Sequence, residues 1–360
     1  MFIKKEGQCM KTFLRLLFLS VICIFSGKLI AQSTIEISNY KALTNNTNWD
    51  RNPSITFYNG EYWLFYTKAD NDGVRNVDGY NPNDEYYVVW FKHSANISDL
   101  ADAPETKLSL SESARPINFD QRLASAVAFS GSLYAFVSCG YSQTVHPVYY
   151  YKWDGTTWTG PTPLSTAAAA HVNAVSDGDR VYMAINSNPD NIDVYTWDGI
   201  NLNGPYNAGT GNIVPKMTLK NGNLYVVSIA DPDWTNIEVW SASASATPTF
   251  SYLSTPYTAT GSSTAGDPTI FTDGSALYLV AAPRTGDAPQ WLVQTYSTDN
   301  GSTWTTPKNI SYGGYGPNYW WDFFPLGYYD GINKYLFFCT EGNGITYGDA
   351  EIAFIKMDWD

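Results

Sequence analysis

One unit recurs six times along the 360 residues: a short apolar strand, a tight turn with glycine, and a second strand in which an aromatic precedes apolar residues. The copies are Pro53–Gly60 with Tyr62–Tyr66, Ala124–Gly131 with Leu133–Val137, and Val172–Gly178 with Val181–Ile185. Val214–Gly222 with Leu224–Val227, Pro268–Gly274 with Leu277–Val280, and Phe324–Gly331 with Tyr335–Phe338 complete the set. Asn-Gly or Asp-Gly at most of the turns supplies the positive φ that a two-residue hairpin needs. The turn glycines lie 44 to 71 residues apart, room for four short strands each, which is the size of a propeller blade. The chain is 44% apolar and 16% aromatic but only 15% charged, a composition for pleated, half-buried surfaces rather than long helices or disorder. The fold expected is all-β, a single six-bladed β-propeller; a miscount of one hairpin would make it five or seven blades.

The last blade is one strand short, because only Glu351–Met357 follows the sixth hairpin. Thr34–Ser38 is expected to supply the missing strand, closing the ring and removing a free sheet edge. Ahead of it, Lys11 and Arg15 precede the apolar run Leu16–Phe25, and small or polar residues lead to Ala31-Gln32. That is the layout of a secretory signal peptide, with Met10 as good a start as Met1, and the apolar run is too short for a membrane span. The division expected is 1–31 signal peptide and 32–360 propeller, secreted or held in the periplasm or at the cell surface. Cleavage would remove five basic residues and one acidic one, moving the net charge from −13 to −17. So acidic a surface excludes nucleic acid as a partner. Cys139 and Cys339 alone would remain, so stability must come from a core rather than from a disulfide framework. His93, His146 and His171 are far apart, and no metal site or cofactor is expected.

Ser297-Thr-Asp-Asn-Gly-Ser-Thr-Trp304 follows the pattern S-x-D-x-G-x-x-W, and Trp153–Trp158 and Trp197–Gly199 read as degraded copies. The pattern resembles the Asp box (BNR repeat) of the sialidase-like propellers, which implies a structural turn for Ser297, Asp299, Gly301 and Trp304 on the face opposite the pocket. In the last blade, Asp322–Gly331, Tyr335–Glu341 and Ile352–Phe354 resemble the closing blade of sialidases. Arg51-Asn-Pro53 is similar to the Arg-Ile-Pro whose arginine holds the substrate carboxylate there. Asp322 is a departure: it stands where that family has its nucleophilic tyrosine.

Topology gives candidates independently. In a propeller the innermost strand of each blade begins on the same face as the loop after its second strand, and both kinds of position converge on the channel mouth. Strand starts there give Asp50, Arg51, Asp120, Arg122, His171, Lys216, Asp267 and Asp322; the loops give Arg75, Arg284 and Glu341. The functional reading is a pocket for an acidic oligo- or polysaccharide. Arg51, Arg75, Arg122, Lys216 and Arg284 would grip the anion, with Trp321 as a stacking surface. Asp50, Asp267, Asp322, Glu341 and His171 are the groups for acid, base or nucleophile. The alternative is that these ions pair with one another and tie blades together. Asp70, Asp72, Asp78 and Asp84, in the insertion Ala69–Glu85, have oxygen ligands suited to calcium, yet not at EF-hand spacing; a solvated loop is the simpler reading. The resemblance implies an exo-acting glycoside hydrolase. A polysaccharide lyase using His171 as base, and a propeller lectin without catalysis, remain open on the residues alone.

Overall fold

The computed structural model describes residues 40–44, 50–69, 87–108, 121–139, 147–167, 169–187, 191–230, 232–261, 263–285, 291–311, 322–340 and 351–357. They fall within one compact unit, Ile35–Met357. A two-residue strand, β1 (Lys41–Ala42), comes first. Blade one holds β2 (Asp50–Tyr58), β3 (Glu61–Ala69), β4 (Tyr87–Ser94) and β5 (Thr106–Lys107). Blade two holds β6 (Gln121–Phe129), β7 (Ser132–Cys139), β8 (Tyr149–Trp153) and β9 (Trp158–Pro163). Blade three is β10 (Ala169–Ser176), β11 (Val181–Ser187), β12 (Asn191–Trp197) and β13 (Leu202–Thr210). Blade four is β14 (Asn212–Lys220), β15 (Asn223–Ala230), β16 (Asn236–Ser243) and β17 (Ser251–Thr258). After β18 (Ser263–Thr264) come β19 (Pro268–Thr272), β20 (Leu277–Ala281), β21 (Arg284–Thr285), β22 (Val293–Ser297) and β23 (Lys308–Asn309). Blade five is β19-β20-β22-β23, while β18 and β21 pair separately. β24 (Asp322–Tyr329), β25 (Lys334–Thr340) and β26 (Glu351–Met357) form blade six.

The six-bladed propeller expected from the repeat is what the chain forms, and an N-terminal strand completes blade six. That strand is β1, with Lys41 opposite Phe354 and Ala42 opposite Ala353; Ile352 N–H donates to Thr44 Oγ1 at 2.9 Å. The segment 34–38 expected in this role lies outside the described residues, as do the signal-peptide region and the acidic insertion 70–85. Among the described residues no helix is long and apolar enough to cross a membrane.

The core sits between blades. Successive side chains of a strand point to opposite faces, so a second strand buried on both faces serves two seams. In β11, Val181, Met183 and Ile185 join the apolar cluster with blade two, while Tyr182 and Ala184 join the one with blade four. This two-sided burial is why the second strands read as unbroken apolar runs. Aromatic rings fill the outer seams: Trp197 lies 5.2 Å from Tyr134 and 5.7 Å from Phe136, both nearly perpendicular to it.

The tight turns lie on the face away from the strand starts, and aspartates hold them. Asp177 Oδ1 accepts the N–H groups of Asp179 and Arg180 at 2.9 and 2.8 Å, and Asp273 Oδ1 those of Ser275 and Ala276 at 2.9 Å each. Tyrosines on the following strands close the arrangement, Tyr182 O–H on Asp177 and Tyr278 O–H on Asp273, each at 2.7 Å. In the turn from Ser297 to Trp304, Asp299 Oδ1 accepts Thr303 N–H and Ser297 O–H at 2.8 Å. Hydrogen bonds from Thr303 and Ser297 hold the Asp299 carboxyl down at about 2. Gly301 has φ 87°, and a Cβ there would stand 2.8 Å from Leu253. Trp304 donates from Nε1 to Gly301 O at 3.0 Å and packs on the core between blades four and five.

Candidate functional site

Strand pairing puts the six innermost strands in register with one another. Ser54, Ser125, Asn173, Lys216, Thr269 and Leu326 are equivalent: each faces its second strand at the same level, opposite Phe65, Phe136, Ala184, Val227, Val280 and Phe337. Two residues ahead of them stand Asn52, Leu123, His171, Val214, Asp267 and Phe324. All six of these line a single hollow, joined by Val172, Pro215, Lys216 and Pro325. Every blade therefore contributes to one pocket at the starting end of the innermost strands.

The lower tier holds the blades together. Ser54 Oγ accepts Ala126 N–H at 3.1 Å, Ser125 Oγ accepts Ala174 N–H at 2.8 Å, and Asn173 Oδ1 accepts Met217 N–H at 2.7 Å. Thr269 Oγ1 accepts Gly327 N–H at 3.3 Å. Each acceptor takes the N–H one residue past the tier in the next blade. Lys216 and Leu326 break the series, because an ammonium has no acceptor and leucine has no polar group.

The upper tier is aimed by bulges. Register breaks fall between Arg51 and Ser54, Gln121 and Leu123, Ala169 and Val172, Ile213 and Lys216, and Phe323 and Leu326. Asn52, Val214 and Phe324 have φ of 58°, 54° and 49°, each directly before a proline. Left-handed backbone at a β-branched or aromatic residue costs of order 1–3 kcal/mol and persists only where surroundings impose it. Such bulges re-aim side chains; here three of them point into the same hollow.

Charge gathers there. Asp267 is 6% exposed and accepts Arg284 Nη2 at 2.8 Å. Burial pushes Lys216 down to about 8, with Asp267 and the Cys339 sulfur opposing the drop. Cys339, on β25 and wholly buried as a free thiol, is pushed well up by burial. The Asn52 N–H and Arg51 pull it down, and Asp50 and Asp267 push it further up. Asp50, Arg51, Lys216 and Asp267, from blades one, four and five, are therefore all within electrostatic reach of one sulfur in blade six. Asp50 is fully buried and backs onto a second ionic group inside blade one. There Lys68 donates to Glu105 at 2.8 Å, and Lys92 donates to Leu43 O at 2.8 Å. Burial lowers the Lys92 ammonium, while Glu105 and Asp50 work against that.

Of the candidates read from sequence, His171, Lys216 and Asp267 line the hollow, Asp50 and Arg51 stand beside it, and Arg284 reaches it through Asp267. The Asp267–Arg284 contact is one of the pairings expected under the ion-pair alternative, made within blade five. Arg122 and Asp322 are placed by their backbones alone, in β6 and β24, with Asp322 at the level of Asp50. Arg75, Trp321 and Glu341 lie outside the described residues. Sequence reasoning missed Asn52, Val214 and Phe324. Their signal is an Xaa-Pro pair recurring at one blade position: Asn52-Pro53, Val214-Pro215, Asp267-Pro268 and Phe324-Pro325.

No protein-family model matches the chain, and no curated protein matches its sequence. Solved structures do match its fold. Trypanosoma rangeli sialidase in complex with 2,3-difluorosialic acid aligns with a TM-score of 0.58 at 11% identity, over 88% of this chain and 59% of that one. The same sialidase with sialic acid gives 0.58 at 12%, over 91% and 58%. A Dyadobacter fermentans protein of unknown function gives 0.59 at 10%, over 88% and 98%. The chain thus has the six-bladed fold of sialidases, spans less than two thirds of those sialidases' length, and covers nearly all of the Dyadobacter fermentans protein.

Proposed function

We propose that the protein is a secreted glycoside hydrolase acting on an acidic glycan. One observation carries the reading: six innermost strands converge on a hollow lined by a buried carboxylate, Asp267, together with Lys216 and His171. Ion pairs placed only for stability contribute little, and strained backbone gathered at one place marks sites of function. Asp267 serves as acid or base, with Asp50, Asp322 or Glu341 as the second carboxylate. Lys216, Arg51, Arg122 and Arg284 hold the substrate anion. A carboxyl separation of about 5–5.5 Å would give retention and roughly 6.5–9.5 Å inversion.

The test is a screen of the purified protein against fluorogenic glycosides of uronic and sialic acids. Asp267→Asn should lower kcat by about a hundredfold or more while the protein stays folded; an undiminished rate removes Asp267 from the chemistry. A second reading, a polysaccharide lyase, is favoured by His171 and Lys216 lining the same hollow, since proton abstraction beside a uronate carboxylate needs a base and a neutralising cation. Appearance of an unsaturated uronate, seen by its ultraviolet absorbance, would replace the hydrolase with the lyase.

A further inference from the structure

Five large apolar side chains are conspicuously exposed among the described residues: Phe57, Ile200, Trp234, Tyr252 and Ile332. Ile200 and Ile332 cap tight turns of the far face, Phe57 stands near the far end of β2, and Tyr252 belongs to an outermost strand. Trp234 differs. It lies in the loop between β15 and β16, after a second strand, and so on the face where the hollow opens. Its exposure is 47%, and its φ is 51°, a conformation that bulky residues avoid.

The backbone that presents this indole is fixed from both sides. Trp234 N–H donates to Ala230 O at 3.0 Å, and Trp234 O accepts Ala265 N–H at 2.6 Å. Ala265 belongs to the short segment that delivers Asp267 to the hollow. The same segment is held on its other side by β21, where Thr264 pairs with Arg284. Between them, Gly266 passes so close to Ala282 that a Cβ would fall 1.6 Å from its carbonyl oxygen, which pins the segment. Arg284 spends Nη2 on Asp267 yet is itself 45% exposed along its side chain, and a guanidinium has five N–H donors. A half-exposed indole and a half-exposed guanidinium are therefore both carried by backbone tied to the segment that leads to Asp267.

That pairing matches a sugar acid. The C–H face of a pyranose is apolar and packs flat on an indole, while a carboxylate takes the fork of an arginine. We propose that Trp234 and Arg284 form a subsite for one pyranose unit of an acidic glycan, the ring stacked on the indole and the carboxylate on the guanidinium, just outside the hollow that holds Asp267. The inference rests on the reading of the hollow as a glycan site, and it assigns a binding residue that the strand-start reasoning never reached.

The experiment uses the full protein with its tryptophans replaced by 5-fluorotryptophan, Trp234→Phe assigning the Trp234 resonance in fluorine NMR. Methyl β-glucuronoside and 3′-sialyllactose are the acidic probes, and methyl β-glucoside is the neutral control. The Trp234 resonance should move saturably with at least one acidic probe, and Trp234→Leu should weaken that probe's binding by about tenfold, with Trp234→Phe in between. Arg284→Gln should abolish the preference for the acidic probe over the neutral control. Dispersion of the other fluorotryptophan resonances shows that each variant is folded. A Trp234 resonance that no probe moves, or Trp234→Leu binding like the parent, overturns the subsite. Turnover with KM unchanged in Trp234→Leu also overturns it and leaves the hydrolase standing. Saturable shifts without any turnover keep the subsite and remove the hydrolase.

Discussion

Lys216 sits where the inter-blade series calls for a serine, threonine or asparagine, and its ammonium is disfavoured there. A drop from the ordinary 10.5 to about 8 corresponds to about 3 kcal/mol of discouraged charge. The sign follows from proton linkage: between about pH 8 and 10.5 the unfolded chain holds a proton that the folded chain has released, so stability rises with pH across that window and is lowest below it. Lys216→Met keeps the length and the apolar stem but removes the charge. The variant should be more stable than the parent by about 1–3 kcal/mol near pH 7, and the difference should close as the pH approaches about 10.5. Urea unfolding of both proteins at pH values from about 7 to 10 measures this, the difference between the two cancelling groups that titrate in both. The same variant should lose affinity for acidic saccharides. A stability difference that stays flat over the window, or a parent that is the more stable protein near neutrality, would refute the claim that Lys216 carries its charge into a desolvated hollow.

Two further substitutions test the frame around the site. A Cβ at Gly327 would stand 1.9 Å from the Phe271 ring, which is stacked on Tyr278 at 5.1 Å, so Gly327→Ala should lower stability by about 1–3 kcal/mol, read as a fall in thermal midpoint; an unchanged midpoint would mean that the seam between blades five and six is looser than described. Asp273 is pushed up by burial, but the N–H groups of Ala276 and Ser275 and the Tyr278 hydroxyl outweigh that and hold its carboxyl well below the usual range, with Lys334 Nζ at 3.2 Å. Its stabilisation is therefore present above about pH 4 and lost as the pH falls further, so Asp273→Asn should destabilise near neutrality by about 1–2 kcal/mol, with the gap to the parent narrowing in acid; a gap independent of pH would remove the carboxylate from the explanation.

What the sequence discloses about the fold is what local chemistry dictates. Asp177-Gly178 and Asp273-Gly274 announce their hairpins because a carboxylate that caps two N–H groups and a glycine that accepts positive φ are both needed there. The second strands are legible because burial on two faces makes their middles apolar and confines polar residues such as Lys68, Ser138, Ser187 and Thr340 to their ends. The outermost strands are not: β5 and β23 are two residues long, and β9 and β17 are largely exposed, so nothing forces an alternation. Closure by β1 was foreseeable in kind, since a three-stranded last blade leaves an edge; its location at Lys41–Ala42 was not, because a two-residue strand carries no pattern of its own.

The site divides along a similar line. Strand starts were readable, so His171, Lys216 and Asp267 emerged together from topology. Which residue of a strand start meets the hollow is another matter, because one inserted residue reverses the facing of everything ahead of it. In blade one the bulge gives the lining position to Asn52 and leaves Arg51 to act from beside it. Trp234 was illegible for a different reason: no residue pattern sets it apart, and only its exposure, the hydrogen bond from Ala265 and the left-handed backbone mark it out among the described tryptophans. Lys216 is the instructive intermediate. Once six equivalent positions are aligned, a chain that uses Ser54, Ser125, Asn173 and Thr269 to staple neighbouring blades and then installs a cation in the same place has broken its own local rule. A rule broken against the desolvation of a charge, at a hollow to which all six blades contribute, is where function is to be sought.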